Sequence, residues 1–164
     1  MRILLCIVLM CCMSGLASAQ MAAAKKIPPA VEKKVVLNAN AQKVWDYLSE
    51  PENYKKFSGV KEFTCEEKAL NAKIELTTKA DKKRSQYISV IDYDNFKICY
   101  FVTKSDYAGD KQWVYAFEVQ SKGNKKCEVT LSIYFGFDEL SPEFKEGITK
   151  EFDDIVAGLK KKFK

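Results

Sequence analysis

From Val60 onward, hydrophobic and polar residues alternate with a period of two. The runs are Val60–Glu67, Lys73–Thr78, Ser85–Tyr93, Phe96–Thr103, Trp113–Gln120 and Cys127–Phe137. That period is the mark of strands with one buried face. Trp113, Tyr115 and Phe117, then Leu131, Ile133, Phe135 and Phe137, share one face of the last two runs. The connections are short, so successive strands should pair antiparallel. Asp94-Asn95 reads as a two-residue hairpin loop of the primed type, and Gly123-Asn124 supplies another turn. Only the stretch from Lys104 to Asp110 makes a longer loop, and Tyr107 within it is a lid candidate.

After the last strand the period lengthens. Ser141 is placed to cap a helix that begins at Pro142, and Phe144, Ile148, Phe152, Ile155, Leu159 and Phe163 form one apolar stripe along it. Lys, Glu and Asp occupy the other side. Gly147 and Gly158 each cost about 1 kcal/mol relative to alanine in a helix interior, which either lets the sheet approach closely or leaves room for a ligand. Strands closed by one long amphipathic helix enclose a space, and that space suits an apolar molecule.

Ahead of this region, Val31–Leu37 reads as a first strand. Asn40 then caps a short helix, Ala41–Leu48, with Val44, Trp45 and Leu48 on one face. Ser49-Glu50-Pro51-Glu52 has the form of a capping box and predicts a second short helix ending near Phe57. Residues 20–30 read as a linker stiffened by Pro28-Pro29. Residues 1–19 read as a signal peptide: Arg2, an apolar run from Ile3 to Met13, and Ala17-Ser18-Ala19 before Gln20. The apolar run is shorter than the roughly 18–20 residues of a membrane span. The expectation is an exported protein, periplasmic or extracellular after cleavage.

Charge and composition narrow the chemistry. The net charge is +5, from 27 basic and 22 acidic residues, with clusters at Lys25-Lys26, Lys82-Lys83-Arg84, Lys125-Lys126 and Lys160-Lys161-Lys162. Scattered lysines read as solvated surface rather than as a nucleic-acid face. The terminal lysines suit a helix C-terminus, with at most a weak contact to a membrane surface. The chain has no histidine, which removes the commonest general acid/base and a common metal ligand. No metal-ligand spacing or cofactor motif is present, so no metal and no cofactor is expected. Beyond the signal peptide, Cys65, Cys99 and Cys127 fall on non-adjacent strands and are expected to be buried free thiols.

Two further segments carry a resemblance. Val44-Trp45-Asp46-Tyr47-Leu48 followed by Pro51-Glu52-Asn53-Tyr54, with the closing Ile155-Val156-Ala157-Gly158-Leu159-Lys160, resembles the helix-grip superfamily. That superfamily includes START domains, the birch-pollen-allergen fold and polyketide cyclase/dehydrase-like proteins. The resemblance implies an α+β fold over residues 31–164: a curved seven-stranded antiparallel sheet wrapped around a long C-terminal helix, with two short helices between strands 1 and 2. It also implies a hydrophobic cavity of the kind that holds lipids, sterols, polyketides or aromatics.

The functional expectation is an exported binding protein that holds a small hydrophobic ligand non-covalently. Its candidate ligand-binding residues are Tyr100, Trp113, Tyr115, Phe117, Ile133, Phe135, Ile148, Phe152 and Ile155, with Leu131 and Phe144 also on the wall. Tyr115, Tyr100 and Tyr87 are the candidate polar handles. One alternative is a cyclase- or dehydratase-like enzyme, which without histidine would rely on Asp, Glu, Tyr or Lys. Asp92 and Glu118 point outward by alternation, and no catalytic residue is singled out. Another alternative is a protein-interaction module whose cavity is filled by side chains. A purely apolar cavity would favour the carrier, and buried polar groups at hydrogen-bonding distance would favour the enzyme.

Overall fold

The computed structural model describes residues 27–57, 59–79, 81–106, 108–136 and 140–164. The expected signal peptide, most of the expected linker, Tyr107 and Phe137 lie outside the described residues. The elements are β1 (Val31–Leu37), α1 (Ala41–Leu48), a 3-10 turn (Pro51–Lys56), β2 (Val60–Cys65), β3 (Lys73–Thr78), β4 (Lys83–Asp92), β5 (Lys97–Ser105), β6 (Trp113–Ser121), β7 (Cys127–Phe135) and α2 (Pro142–Lys162). The strands form one seven-stranded sheet in the order β1-β7-β6-β5-β4-β3-β2. Every neighbouring pair is antiparallel. β1 therefore returns to lie beside the last strand, and the expected α+β architecture is present.

Alternation decides which residues fill the interior. On β4 these are Arg84, Gln86 and Ile88; on β5, Ile98, Tyr100 and Val102; on β6, Trp113, Tyr115, Phe117 and Val119. The register aligns Tyr100 with Tyr115 and Tyr115 with Ile133 across three strands. Breaks in register between Ser85 and Gln86, and between Ile88 and Val90, bend β4. Bulges of this kind raise the local twist, which helps curl the sheet around the helix.

α2 starts where the sequence predicts: the Ser141 hydroxyl accepts from the Phe144 N–H at 3.2 Å. Phe144, Ile148, Phe152, Ile155 and Leu159 are all buried on its inner stripe. The helix leans toward β1, where Lys33 and Asp153 lie 2.6 Å apart, and away from β2 and β3. That lean leaves a gap on one side.

Two local expectations are corrected. Ser49 opens no helix; its N–H donates to the Trp45 carbonyl at 2.8 Å and closes α1. Its hydroxyl accepts from Lys68 Nζ at 2.7 Å, and the residues after Glu50 form a 3-10 turn without a side-chain cap. The β4–β5 connection is also longer than two residues. Asp92 accepts from the N–H groups of Asp94 and Asn95, at 3.1 and 2.9 Å. Phe96 takes φ 49° while its ring stacks 5.8 Å from Trp45. The three described cysteines are free, with Cys99 and Cys127 buried and Cys65 half-buried. Among the described residues, no helix is long and apolar enough to cross a membrane.

Candidate functional site

Tyr54 and Phe57, carried in by the 3-10 turn, divide the interior of the sheet in two. Tyr54 stacks on Phe117 at 5.8 Å and on Phe63 at 6.0 Å, and meets the edge of Tyr100 at 5.4 Å. Tyr100 and Phe117 on that side are buried. The other half, beneath the gap left by α2, is a cavity of about 320 Å³. Its walls are Tyr54, Phe57, Val60, Leu76, Trp113, Phe144, Ile148 and Ile155. Its rim runs between Gly59, Thr78 and Lys79 on the sheet side and Gly147, Lys150, Glu151 and Asp154 on the helix side. Gly147 lies three and four residues before Lys150 and Glu151, and Asp154 four and three after them, so the four share one flank of α2. The lips come close at Gly59, where an added Cβ would lie 3.8 Å from Asp154 Oδ2.

A polar cluster sits in the cavity wall. Arg84 is 4% exposed, and its Nη1 and Nη2 each donate to one oxygen of Glu151 at 2.9 Å. Nη1 also donates to the Tyr115 oxygen at 2.6 Å, and the Tyr115 hydroxyl donates to Glu151 Oε2 at 3.0 Å. Burial works against the Arg84 charge, but the Glu151 and Tyr115 oxygens and the hydrogen bonds to Glu151 together outweigh it and raise its pKa above the ordinary value. Burial, followed by the Glu151 charge, pushes the Tyr115 phenol well up although Arg84 pulls it down. Burial likewise raises Tyr54, with Tyr100 adding to the effect. Burial is also the main reason that Tyr100 is raised. At neutral pH the cluster holds a charged guanidinium and protonated phenols.

Chemically, this arrangement is occupied with itself. Glu151 accepts three hydrogen bonds, and Tyr115 spends its only proton on Glu151. Neither is poised to exchange a proton with a bound molecule. Some buried donors and acceptors have no partner: Arg84 Nε, Trp113 Nε1, Tyr100 Oη and both amide atoms of Gln86. The Trp113 indole pulls the Tyr115 pKa down a little, but burial keeps it well above the ordinary value. Each unpaired buried polar group costs about 1–3 kcal/mol.

Five of the sequence-predicted residues line the cavity: Trp113, Tyr115, Phe144, Ile148 and Ile155; Leu131 is fully buried and does not. Tyr100, Phe117, Ile133 and Phe152 are fully buried and do not reach the cavity wall. Phe135 is half-buried and packs against Trp113 and Phe144, at 6.1 and 5.6 Å between ring centroids, outside the lining. The reason is the insertion of Tyr54, which occupies space that alternation alone assigns to a ligand. Tyr87 lies half-buried on the opposite face of β4.

Sequence reasoning missed Tyr54, Arg84 and Glu151. The lysines beside it, Lys82 and Lys83, point to solvated surface, whereas Arg84 is buried. A signal was available: Arg84 is the only arginine after Arg2, and it shares the parity of Ile88 on its strand. A lone arginine among lysines marks a site that needs a planar, bidentate donor.

No family model matches the sequence, and no curated protein matches it. Solved structures do match. A protein from Nitrosospira multiformis superimposes with a TM-score of 0.70 at 14% identity, over 82% of this chain and 95% of that one. A START superfamily protein from Mycobacterium smegmatis gives 0.63 at 13% identity, over 81% and 95%. Norcoclaurine synthase from Thalictrum flavum, in complex with dopamine and hydroxybenzaldehyde, gives 0.64 at 12% identity, over 80% and 83%. At these identities the likeness is one of fold. The chain has the helix-grip fold that the START-like proteins share.

Proposed function

We propose that this chain is an exported binding protein that holds a small, mainly hydrophobic molecule, without covalent change, in the cavity between α2 and the β2–β4 side of the sheet. The carrying observation is the cavity itself: about 320 Å³, apolar over most of its wall and open along one flank of the helix. That volume is at the low end of the roughly 300–1,000 Å³ usual for ligand sites. It suits an aromatic or short-chain molecule better than a bulky lipid. The norcoclaurine synthase structure, solved with dopamine and hydroxybenzaldehyde, supports a small aromatic molecule as the kind of ligand this fold holds.

The 3.0 Å hydrogen bond between Tyr115 and Glu151 favours an enzyme acting in the same cavity. Against it stands the pairing of Glu151 with Arg84, which occupies the carboxylate and the cation of the inner wall and leaves Lys79, Lys150 and Asp154 at the rim. An interaction module with a filled interior has less support, because a cavity of about 320 Å³ remains.

Two measurements test the proposal. Native mass spectrometry of protein purified from its host, followed by solvent extraction, should reveal a co-purifying apolar compound. Fluorescence titration with 1-aminoanthracene should show saturable binding that Gly147→Leu abolishes, since a side chain there projects into open space at the rim. An extract without such a compound, together with no saturable binding, would overturn the carrier reading. Export is tested separately: the mature protein should begin at Gln20 in the exported fraction, and retention of residues 1–19 would refute it.

A further inference from the structure

We infer that the molecule held in the cavity is an amphiphile with a single negative charge, its apolar body inside and a group of the carboxylate type at the mouth, between Lys79 and Lys150. This charge class rests on the binding function proposed above and names the kind of ligand it serves. Lys79 lies on the sheet lip and Lys150 on the helix lip of one opening, and both are exposed. Among the described residues, neither side chain takes part in an ion pair or a hydrogen bond. The acids beside them are engaged elsewhere. Asp81, two residues after Lys79, pairs with Lys61 at 2.6 Å, and Asp153, three residues after Lys150, pairs with Lys33 at 2.6 Å. Glu146 and Asp154 stand four residues either side of Lys150, the spacing at which opposite charges on a helix can meet, yet no ion pair ties either to it.

The sign and the place of the ligand's charge follow from that inventory. Arg84 and Glu151 neutralise each other at 2.9 Å in the inner wall. The charged groups left among the lining residues are Lys79, Lys150 and Asp154, so the mouth is positive by one charge. A charged group drawn deep into the cavity would shed its water and find no free partner there. At the mouth it keeps part of its hydration and meets two cations, whose field a cleft with apolar walls concentrates. An ammonium ligand would meet one carboxylate, Asp154, against two lysines. A neutral ligand would gain nothing from either lysine.

The test uses three naphthalenes of nearly one shape and different charge: the 2-carboxylate, the neutral 2-carboxamide and the cationic 2-carboxamidine. Each is titrated calorimetrically at neutral pH into the wild-type protein, Lys79→Gln/Lys150→Gln and Lys125→Gln/Lys126→Gln. The last variant removes the same charge from the exposed β6–β7 turn, outside the cavity lining. At low salt the carboxylate should bind the wild-type protein about fivefold more tightly than the amide, a factor that two exposed ion pairs can supply. The amidine should bind most weakly. Salt of about 0.5 M should remove most of the carboxylate's advantage. Lys79→Gln/Lys150→Gln should bring carboxylate and amide within about twofold of each other, whereas Lys125→Gln/Lys126→Gln should keep most of the difference. Each ratio is taken within one variant, so a general change in packing cancels. Equal affinity of carboxylate and amide in the wild-type protein overturns the anionic mouth and leaves the carrier reading standing. The same holds for an advantage that survives Lys79→Gln/Lys150→Gln, or one that falls equally in both double variants. Tightest binding by the amidine overturns it in favour of Asp154. No binding by any of the three removes the carrier reading and the anionic mouth together.

Discussion

Arg84 on β4 and Glu151 on α2 meet through two N–H···O contacts of 2.9 Å, spanning the side of the sheet from which the helix leans away. The pair replaces apolar packing where the cavity opens. Its partners are unequal: the Arg84 side chain is 4% exposed and that of Glu151 is 26% exposed. Glu151→Leu therefore strands a buried charge and should cost about 3–5 kcal/mol in urea denaturation. Arg84→Met leaves a carboxylate that can turn toward water and should cost clearly less. The double variant Arg84→Met/Glu151→Leu should recover most of the loss, and a double variant as unstable as Glu151→Leu alone would contradict this account.

Stability should fall on the alkaline side. Burial raises Tyr54, Tyr100 and Tyr115 above their usual value of 10.0, and Cys99 and Cys127 above 9.0. A group raised in the folded state keeps its proton there after the unfolded chain has lost its own. Its contribution is complete below the unfolded pKa and is lost as pH rises through the folded pKa. The urea midpoint should thus hold level up to about pH 9 with respect to these groups, then drop. Three phenols could give a slope of about 4 kcal/mol per pH unit at its steepest, from about 1.36 kcal/mol each. Absorbance near 295 nm should show these tyrosines ionising only with unfolding; early titration of all eight would refute their protected state.

Much of the fold was legible because it rests on period. The strand runs, the Ser141 cap and the stripe from Phe144 to Leu159 follow from alternation and helical spacing, which tertiary context left intact. The errors fell where a side chain found an unexpected partner. Ser49 matches a capping box in sequence, but its N–H was taken by Trp45 and its hydroxyl by Lys68. The site was half legible for a related reason. Trp113, Tyr115, Ile148 and Ile155 reach the cavity by parity, while Tyr54 reaches it from a 3-10 turn whose insertion depth no periodicity encodes. Glu151 belongs to the flank of α2, between its apolar and charged faces, and a binary reading assigns it to solvent.

The two glycines of α2 should respond oppositely to alanine. At Gly147 an added Cβ meets nothing within 4 Å, so Gly147→Ala gains helix propensity at no steric cost. A stabilisation of about 0.5–1 kcal/mol is expected. At Gly158 the Cβ would sit 3.1 Å from Phe57 Cδ1, tighter than ordinary contact. Phe57 also meets Tyr47 and Tyr54 edge-on, at 6.3 and 5.8 Å, and has little freedom to retreat. Gly158→Ala should therefore gain nothing or lose stability. Thermal melts of the two variants decide the matter, and equal gains would show that Phe57 yields easily.

Phe152 and Phe144 occupy the same stripe of α2 but should separate stability from binding. Phe152 is fully buried beneath the helix, 6.1 Å from Tyr115 between ring centroids, and does not line the cavity. Its removal leaves a void in packed surroundings, so Phe152→Ala should cost about 3–5 kcal/mol. Affinity for 1-aminoanthracene, measured where the variant is still folded, should change less than about threefold. Phe144 is 9% exposed and forms part of the cavity wall, with its ring 5.0 Å from Trp113. Because one side of that ring already faces open space, Phe144→Ala removes fewer packed contacts and should cost less stability than Phe152→Ala. It also widens the cavity and strips an aromatic surface from the bound molecule, so affinity should fall by about tenfold. A larger affinity loss in Phe152→Ala than in Phe144→Ala would move the binding site into the half of the interior that Tyr54 closes.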